Sequence, residues 1–241
     1  DRCELTFRAW EPFDLDRAVA QHAAYASLLR SLGLEVVQLE ADPALPDCCF
    51  VEDVAVVLDE VALLAMPAPP SRRGEIAAVE EALARFRPLE RTPLPATLEG
   101  GDVLRVGRRL YVGRSLRTNE AGIARLAAVA EPLGYRVMPV TVTGSLHLKS
   151  AVTALDDERL LANPAWADMT PFQGLGIVRV APEEPAAANV LRVEGLVVAH
   201  PGFPRTQDRL AAHGYAVRPL DVSEFLKAEA ALTCKSLLFR P

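Results

Sequence analysis

The chain has 241 residues, 50% of them hydrophobic and 24% charged, with a formal net charge of -6 and a pI near 5.3. A chain of this length buries a large core without disulfides or metals, and the composition excludes disordered and fibrous architectures. The acidity, with no basic run longer than Arg72-Arg73 or Arg108-Arg109, argues against a nucleic-acid partner. No apolar stretch approaches the ~20 residues of a membrane span, and Asp1-Arg2-Cys3-Glu4 does not open a signal peptide, so a cytoplasmic protein without membrane contact is expected. Cys3, Cys48, Cys49 and Cys234 show no CxxC spacing, and no HExxH is present; neither a disulfide nor a metal site is expected. Arginine outnumbers lysine 23 to 3, a coding bias that deprives any single arginine of weight.

In chain order, Asp14 is placed to cap a helix with Leu15, Ala18, Val19, His22, Leu28, Leu29 and Leu32 on one side and Gly33 as its stop. Residues 34–39 read as a strand. Two β-rich runs between Val54 and Met66 flank Asp59-Glu60, a hairpin signal, and an amphipathic helix with Ile76, Val79, Leu83 and Phe86 ends before Pro88. The order then returns: a hairpin at 103–112 about Gly107-Arg108, a helix with Ile123, Leu126, Val129 and Leu133, and a strand at 135–142. A third round pairs 150–155 with 159–162 and passes through a weak helix at 166–172, interrupted by Pro171, into a strand at 177–180. In the fourth, 190–193 pairs with 196–199 across Glu194-Gly195, a helix starts at Thr206, and 215–220 is a strand. Residues 236–239 at one end, with 3–7, the first helix and 34–39 at the other, make up a fifth round.

Hairpins thus begin near 54, 103, 150, 190 and 236, and such a period signals a closed array. The expected fold class is α/β: a single domain over residues 1–241, a five-bladed pseudo-symmetric α/β propeller of ββαβ modules closed by the N- and C-terminal segments. An open Rossmann-like sheet competes poorly, because hairpins do not make parallel crossovers and no GxGxxG follows a strand.

Polar residues break the pattern just before the first strand of each unit: Glu52-Asp53, Glu99-Gly100-Gly101-Asp102, His147-Leu148-Lys149, Asn189 and Thr233-Cys234. Equivalent positions of a closed array gather at one end of its axis, so a thiol, an imidazole and carboxylates are expected to meet in one pocket. Taken singly, Cys234 reads as a buried structural thiol, His147 as a core histidine, and the diglycine segment as a turn. Their recurrence at one point of the repeat is what favours a site.

Leu45-Pro46-Asp47-Cys48-Cys49-Phe50-Val51-Glu52-Asp53, Pro70-Ser71-Arg72-Arg73, Leu98-Glu99-Gly100-Gly101-Asp102, Arg117-Thr118-Asn119, Leu146-His147-Leu148-Lys149 and Leu232-Thr233-Cys234-Lys235-Ser236 together resemble the dimethylarginine dimethylaminohydrolases of the guanidino-group-modifying superfamily, whose fold is a five-bladed α/β propeller. The resemblance implies Cys234 as nucleophile, His147 as general acid and base, and Glu99 as the carboxylate beside the histidine. It implies Asp53 as the acid that grips the substrate guanidinium, Asp47 as the partner of its α-amine, and Arg72 and Arg117 as partners of its α-carboxylate. Glu52 and Asp102 fall inside the motifs, with Glu52 grouped among the substrate-binding residues. Two departures touch the pocket wall: Ala228-Glu229-Ala230-Ala231 where glycine is common, and Lys235 after the cysteine where a smaller or apolar residue is usual. No cofactor is implied; the partner is a small methylated arginine, and a homodimer is compatible with this reading. An arginine deiminase, another guanidino-modifying enzyme, or a non-catalytic arginine-binding protein are the alternatives.

Overall fold

The protein, seen here as a computed structural model, is described over residues 3–240. Asp1, Arg2 and Pro241, the ends of the expected domain and the first two residues of the N-terminal motif, lie outside the described residues. Four three-stranded sheets follow one another along the chain, and each repeats one scheme. The first is β1 (Ala55–Val57), β2 (Ala62–Leu64) and β3 (Leu89–Arg91), the second β4 (Val103–Val106), β5 (Arg109–Arg114) and β6 (Arg136–Thr141). The third is β7 (Val152–Ala154), β8 (Arg159–Ala162) and β9 (Gly176–Arg179), the fourth β10 (Leu191–Val193), β11 (Leu196–Ala199) and β12 (Ala216–Pro219). The first two strands pair antiparallel and the third adds parallel to the second, after α2 (Ile76–Leu83), α3 (Glu120–Ala130) or α5 (Pro204–Ala212) in three of the units.

The middle strand of each sheet is the one covered on both faces. Hence Ala62–Leu64, Leu110–Val112, Leu160–Ala162 and Val197–Ala199 are buried continuous apolar runs rather than alternating ones. The Glu194-Gly195 turn takes φ of 46° and 77°, the left-handed pair whose twist matches the flanking strands. The third unit lacks its expected helix: only a single 3-10 turn, Thr170–Phe172, forms around Pro171, which cannot donate to a helical ladder.

The first helix, α1 (Leu15–Ser31), begins as read, with the Asp14 carboxylate accepting from the Arg17 N–H at 3.0 Å. Its buried stripe is Ala18, Gln21, Tyr25, Leu28 and Leu29, whereas Leu15 and Val19 are 66% and 61% exposed. The polar Gln21, bonded to Asp221 and Ser223, occupies a place that the hydrophobic pattern alone gives to Val19. A fifth sheet does not form among the described residues. Residues 34–39 and 236–240 carry no strand pairing, and their apolar side chains pack on different clusters. Leu34 and Val36 pack with α1 and Phe225, while Leu237 and Phe239 pack with α2. A cleft of about 1020 Å³ lies along both segments. Two short helices that the periodicity could not reveal, α4 (Leu148–Ala151) and α6 (Ser223–Lys227), complete the chain.

Gly100 ties the first two units together. A Cβ there would lie 2.0 Å from the Glu52 carbonyl oxygen and 2.7 Å from that of Ala55, both backbone atoms. Gly100→Ala should therefore lower the unfolding free energy in urea by at least ~1–3 kcal/mol, the usual cost of overpacking. At Gly107 (φ 58°) nothing lies within 4 Å, so Gly107→Ala should cost only the backbone strain, about 1 kcal/mol.

Candidate active site

Each unit places a short helical turn or loop immediately before its first strand, and these segments adjoin. They are the 3-10 turns Val51–Val54 and Gly100–Asp102, the start of α4 with His147 as its N-cap residue, the loop at Asn189, and the 3-10 turn Thr233–Lys235. Side chains of one unit bind the backbone or side chains of the next. Asp53 Oδ1 accepts from the Gly101 N–H at 3.2 Å, and Asp102 Oδ1 accepts from the Leu148 N–H at 2.9 Å. Glu52 takes Lys149 Nζ at 2.5 Å and the Thr233 hydroxyl at 2.7 Å, and Asn189 joins Thr233 through both ends of its amide.

His147 sits at the centre of the carboxylates. Its Nε2 is 2.7 Å from Glu99 Oε2 and its Nδ1 3.8 Å from Asp53 Oδ1. Burial opposes its charge, but Asp53, Glu99 and Asp102 outweigh burial and raise its pKa to about 9. The imidazolium is thus the resting form at neutral pH. Asp102, fully buried, accepts from Ser115 and Thr118 hydroxyls at 2.6 and 2.7 Å as well as from Leu148, so it fixes the start of α4 and the histidine with it. The diglycine has a steric cause: a Cβ at Gly101 would meet His147 Nδ1 at 2.6 Å and Asp53 Oδ1 at 2.7 Å.

Cys234 is buried, and its Sγ accepts from the Ala231 N–H at 3.4 Å. Burial, then the charges of Glu52 and Asp53, push its thiol up to about 12; Lys235 pulls the other way. Asp53 is held below the usual carboxylate range although burial opposes it, because His147 and Arg72 favour its charge.

Cys234, His147, Asp53, Asp47, Arg72 and Arg117 line one small cavity of about 20 Å³, room for a single water. Glu99 stands behind His147 and Glu52 behind Thr233; neither lines that cavity. The protein's own groups fill the rest. Arg72 Nη1 lies 2.9 Å from Asp53 and 3.8 Å from Glu99, and its other nitrogens grip Glu75. Arg117 donates to the Thr6 hydroxyl at 3.1 Å and lies 3.5 Å from Glu99, and Asp47 accepts from the Glu4 N–H at 3.0 Å. Asp53, Glu99 and His147 offer donor atoms within 4.8 Å of one another, a spacing that a metal ion could span. The Arg72 guanidinium lies against these two carboxylates, at 2.9 Å from Asp53 and 3.8 Å from Glu99.

All eight sequence-derived residues are therefore in one neighbourhood, with Glu52 bonded within the scaffold rather than lining the cavity. Sequence reading missed Glu75, Ser115 and Thr118, ordinary polar residues whose role comes only from what they touch. Asn189 carried a signal, its place before a unit's first strand.

A buried thiol, a charged imidazole locked to a carboxylate, and an acid that already holds a guanidinium meet here, an arrangement suited to thiol chemistry on guanidinium compounds. The family model for eukaryotic N,N dimethylarginine dimethylhydrolase matches residues 10–154. The chain is 36% identical over 228 residues to the N(G),N(G)-dimethylarginine dimethylaminohydrolase of Pseudomonas aeruginosa, covering 94% of this chain and 90% of that one. To the enzyme of the same name from Streptomyces coelicolor it is 42% identical over 233 residues, covering 95% and 89%. It superposes with a TM-score of 0.92 on the solved Pseudomonas aeruginosa enzyme, a cysteine-to-serine variant complexed with citrulline, at 34% identity and coverage of 98% and 93%. The chain belongs to the dimethylarginine dimethylaminohydrolase family.

The imidazole titration gives a direct check on this geometry. Because the folded pKa of His147 lies above its ordinary 6.5, the stability it contributes is complete below pH 6.5 and is lost as pH rises through about 9. NMR should find the imidazole midpoint near 9 in the unaltered protein. In Glu99→Gln it should fall markedly, since burial persists while one favourable charge is gone.

Proposed function

We propose that this protein hydrolyses N-omega-methylated arginines to citrulline and methylamine or dimethylamine through a covalent S-alkylthiouronium on Cys234. The observation that carries the reading is the meeting of Cys234, the His147–Glu99 pair and the guanidinium-holding Asp53 in one buried site. The substrate guanidinium takes the Asp53 oxygen that Arg72 now holds, and Arg72 keeps Glu75. With Arg72 still held close by on Glu75, the incoming guanidinium adds one positive charge to the surroundings of a thiol that burial, Glu52 and Asp53 hold up at about 12, so binding itself favours the thiolate.

The sulfur then adds to the guanidinium carbon. His147, protonated at rest, gives its proton to the departing amine as the C–N bond breaks. The neutral imidazole next takes a proton from water as it adds to the thiouronium carbon, and breakage of the C–S bond returns the thiolate and releases citrulline. Arg117 and Arg72 hold the α-carboxylate and Asp47 the α-amine. No cofactor enters.

We also propose a single catalytic domain over residues 1–241 with five units, the fifth shared by the two chain ends, in a cytoplasmic enzyme for which a homodimer is a compatible assembly. Four repeats of one strand scheme support this, together with the place of Cys234 in a turn before the last segment, equivalent to the turns of the other units. Among the described residues no helix is long and apolar enough to cross a membrane.

Citrulline and amine release from monomethylarginine, asymmetric dimethylarginine, arginine and agmatine tests the reading. Both methylated arginines should be turned over and Cys234→Ser should abolish turnover; faster release of ammonia from arginine would point to a deiminase instead. Agmatine, lacking the carboxylate, should be a very poor substrate. Arg117→Ala should reduce kcat/KM on dimethylarginine by about two to four powers of ten, the ~3–5 kcal/mol typical of breaking a buried charge pair.

A further inference from the structure

Lys235 is an unusual residue to find next to a buried nucleophile. It is itself buried, and among the described residues no carboxylate lies within ion-pair distance of its ammonium. Its Nζ stands 4.5 Å from the centre of the Phe225 ring and 5.2 Å from that of Tyr25, and donates to the Ala231 carbonyl. Ala231 also sends its N–H to Cys234 Sγ, so thiol and ammonium, on adjacent residues of one 3-10 turn, grip the same residue. A buried ammonium without a carboxylate needs another counter-charge, since aromatic faces supply only part of the lost hydration.

We propose that Lys235 is a positioning residue whose ammonium is the counter-charge of the Cys234 thiolate, so that the two groups share the loss of one proton. The inference rests on Cys234 being the nucleophile, and it adds to that reading a cation supplied by the enzyme, present before substrate arrives. Around the thiol stand Glu52 and Asp53 from the 51–54 turn, which disfavour its ionisation, and His147, Arg72 and Arg117 across the cavity. Around the ammonium stand Cys49 and Glu52, together with Tyr25 and His22 on α1. Burial lowers the Lys235 pKa to about 8, while Cys234 is the foremost charge opposing that shift. Near this pH the pair loses its first proton mainly from Lys235, because burial, Glu52 and Asp53 hold the thiol up, and the thiolate with ammonium is the minor, reactive form. Above it, the ratio of thiolate with ammonium to thiol with amine stays constant.

The test is the rate of Cys234 alkylation by iodoacetamide from pH 6 to 11, read by mass spectrometry of the Cys234 peptide, without substrate and hence independent of which guanidine is hydrolysed. In the unaltered protein the rate should level off above about pH 8. Lys235→Gln keeps a donor for the Ala231 carbonyl and removes the charge. Its rate at pH 7 should fall about tenfold or more, and it should keep rising through pH 10, because one unit charge in a buried site is worth about one pKa unit or more. Lys235→Arg should keep the faster rate at pH 7. Turnover at pH 7 should fall in Lys235→Gln chiefly through kcat. An alkylation profile in Lys235→Gln that matches the unaltered protein would overturn the proposal, as would equal losses in the Gln and Arg variants, which would mark packing rather than charge. Should Lys235→Gln fail to fold, a rate that climbs without levelling in the unaltered protein would overturn it equally.

Discussion

Buried carboxylates repel one another, and this repulsion governs the structure. Glu52, Asp53, Glu99 and Asp102 are all at most 7% exposed and come from two adjacent turns. Each would stay ionised only if a cation or several hydrogen-bond donors were buried with it, since an unpaired charge costs several kcal/mol in such surroundings. The chain supplies some of these from the same unit, Arg72 for Asp53, Arg117 for Glu99 and the Ser115 and Thr118 hydroxyls for Asp102, and the rest from the third unit, Lys149 for Glu52, His147 for Glu99 and the Leu148 N–H for Asp102. Charge compensation is therefore what fastens the units to one another at the site.

Much of this was legible because a repeat exposes its exceptions. The period of hairpins and helices located four sheets correctly, and polar residues at the same point of successive units located Asp53, Glu99, His147, Asn189 and Cys234. What stayed illegible has physical causes. The third strand of the first unit, β3, is Leu-Glu-Arg, too short and polar to signal itself. The stripe of α1 is rotated because Gln21, not Val19, meets Asp221 and Ser223. Residues 34–39 and 236–239 have the composition of strands, but composition does not specify a partner, and the two segments pack on different clusters without pairing. The bonding of Glu52 to Lys149 and Thr233 could not be read either, because adjacent residues of a turn point different ways and only Asp53 lines the cavity.

The same compensation sets the terms on which a substrate enters. Asp53, Arg117 and Asp47, the groups that a methylated arginine would need, are each engaged by the protein itself, through Arg72, Thr6 and Glu4. Binding of such a molecule would therefore be an exchange of charged partners rather than the filling of an open cavity, with a net free energy small compared with that of any one ion pair formed. Exchange of one guanidinium for another at Asp53 is nearly balanced, because both present planar N–H donors to the same oxygen.

The covering segment is the cheaper partner to displace. Residues 6–8 hold to the molecule through backbone N–H groups on the Glu229 carboxylate and through Arg8 on the Leu226 carbonyl, all at exposed positions, and through one part-buried bond from Arg117 to the Thr6 hydroxyl. Exposed hydrogen bonds are replaced by water at little cost, whereas the Arg72–Glu75 and His147–Glu99 pairs beneath are buried and stay. A substrate that displaced residues 6–8 would meet charged pairs already in place beneath them. Asp102 holds His147 through Leu148, and Asn189 holds the cysteine turn through Thr233, so the placement of His147 and Cys234 does not depend on residues 6–8.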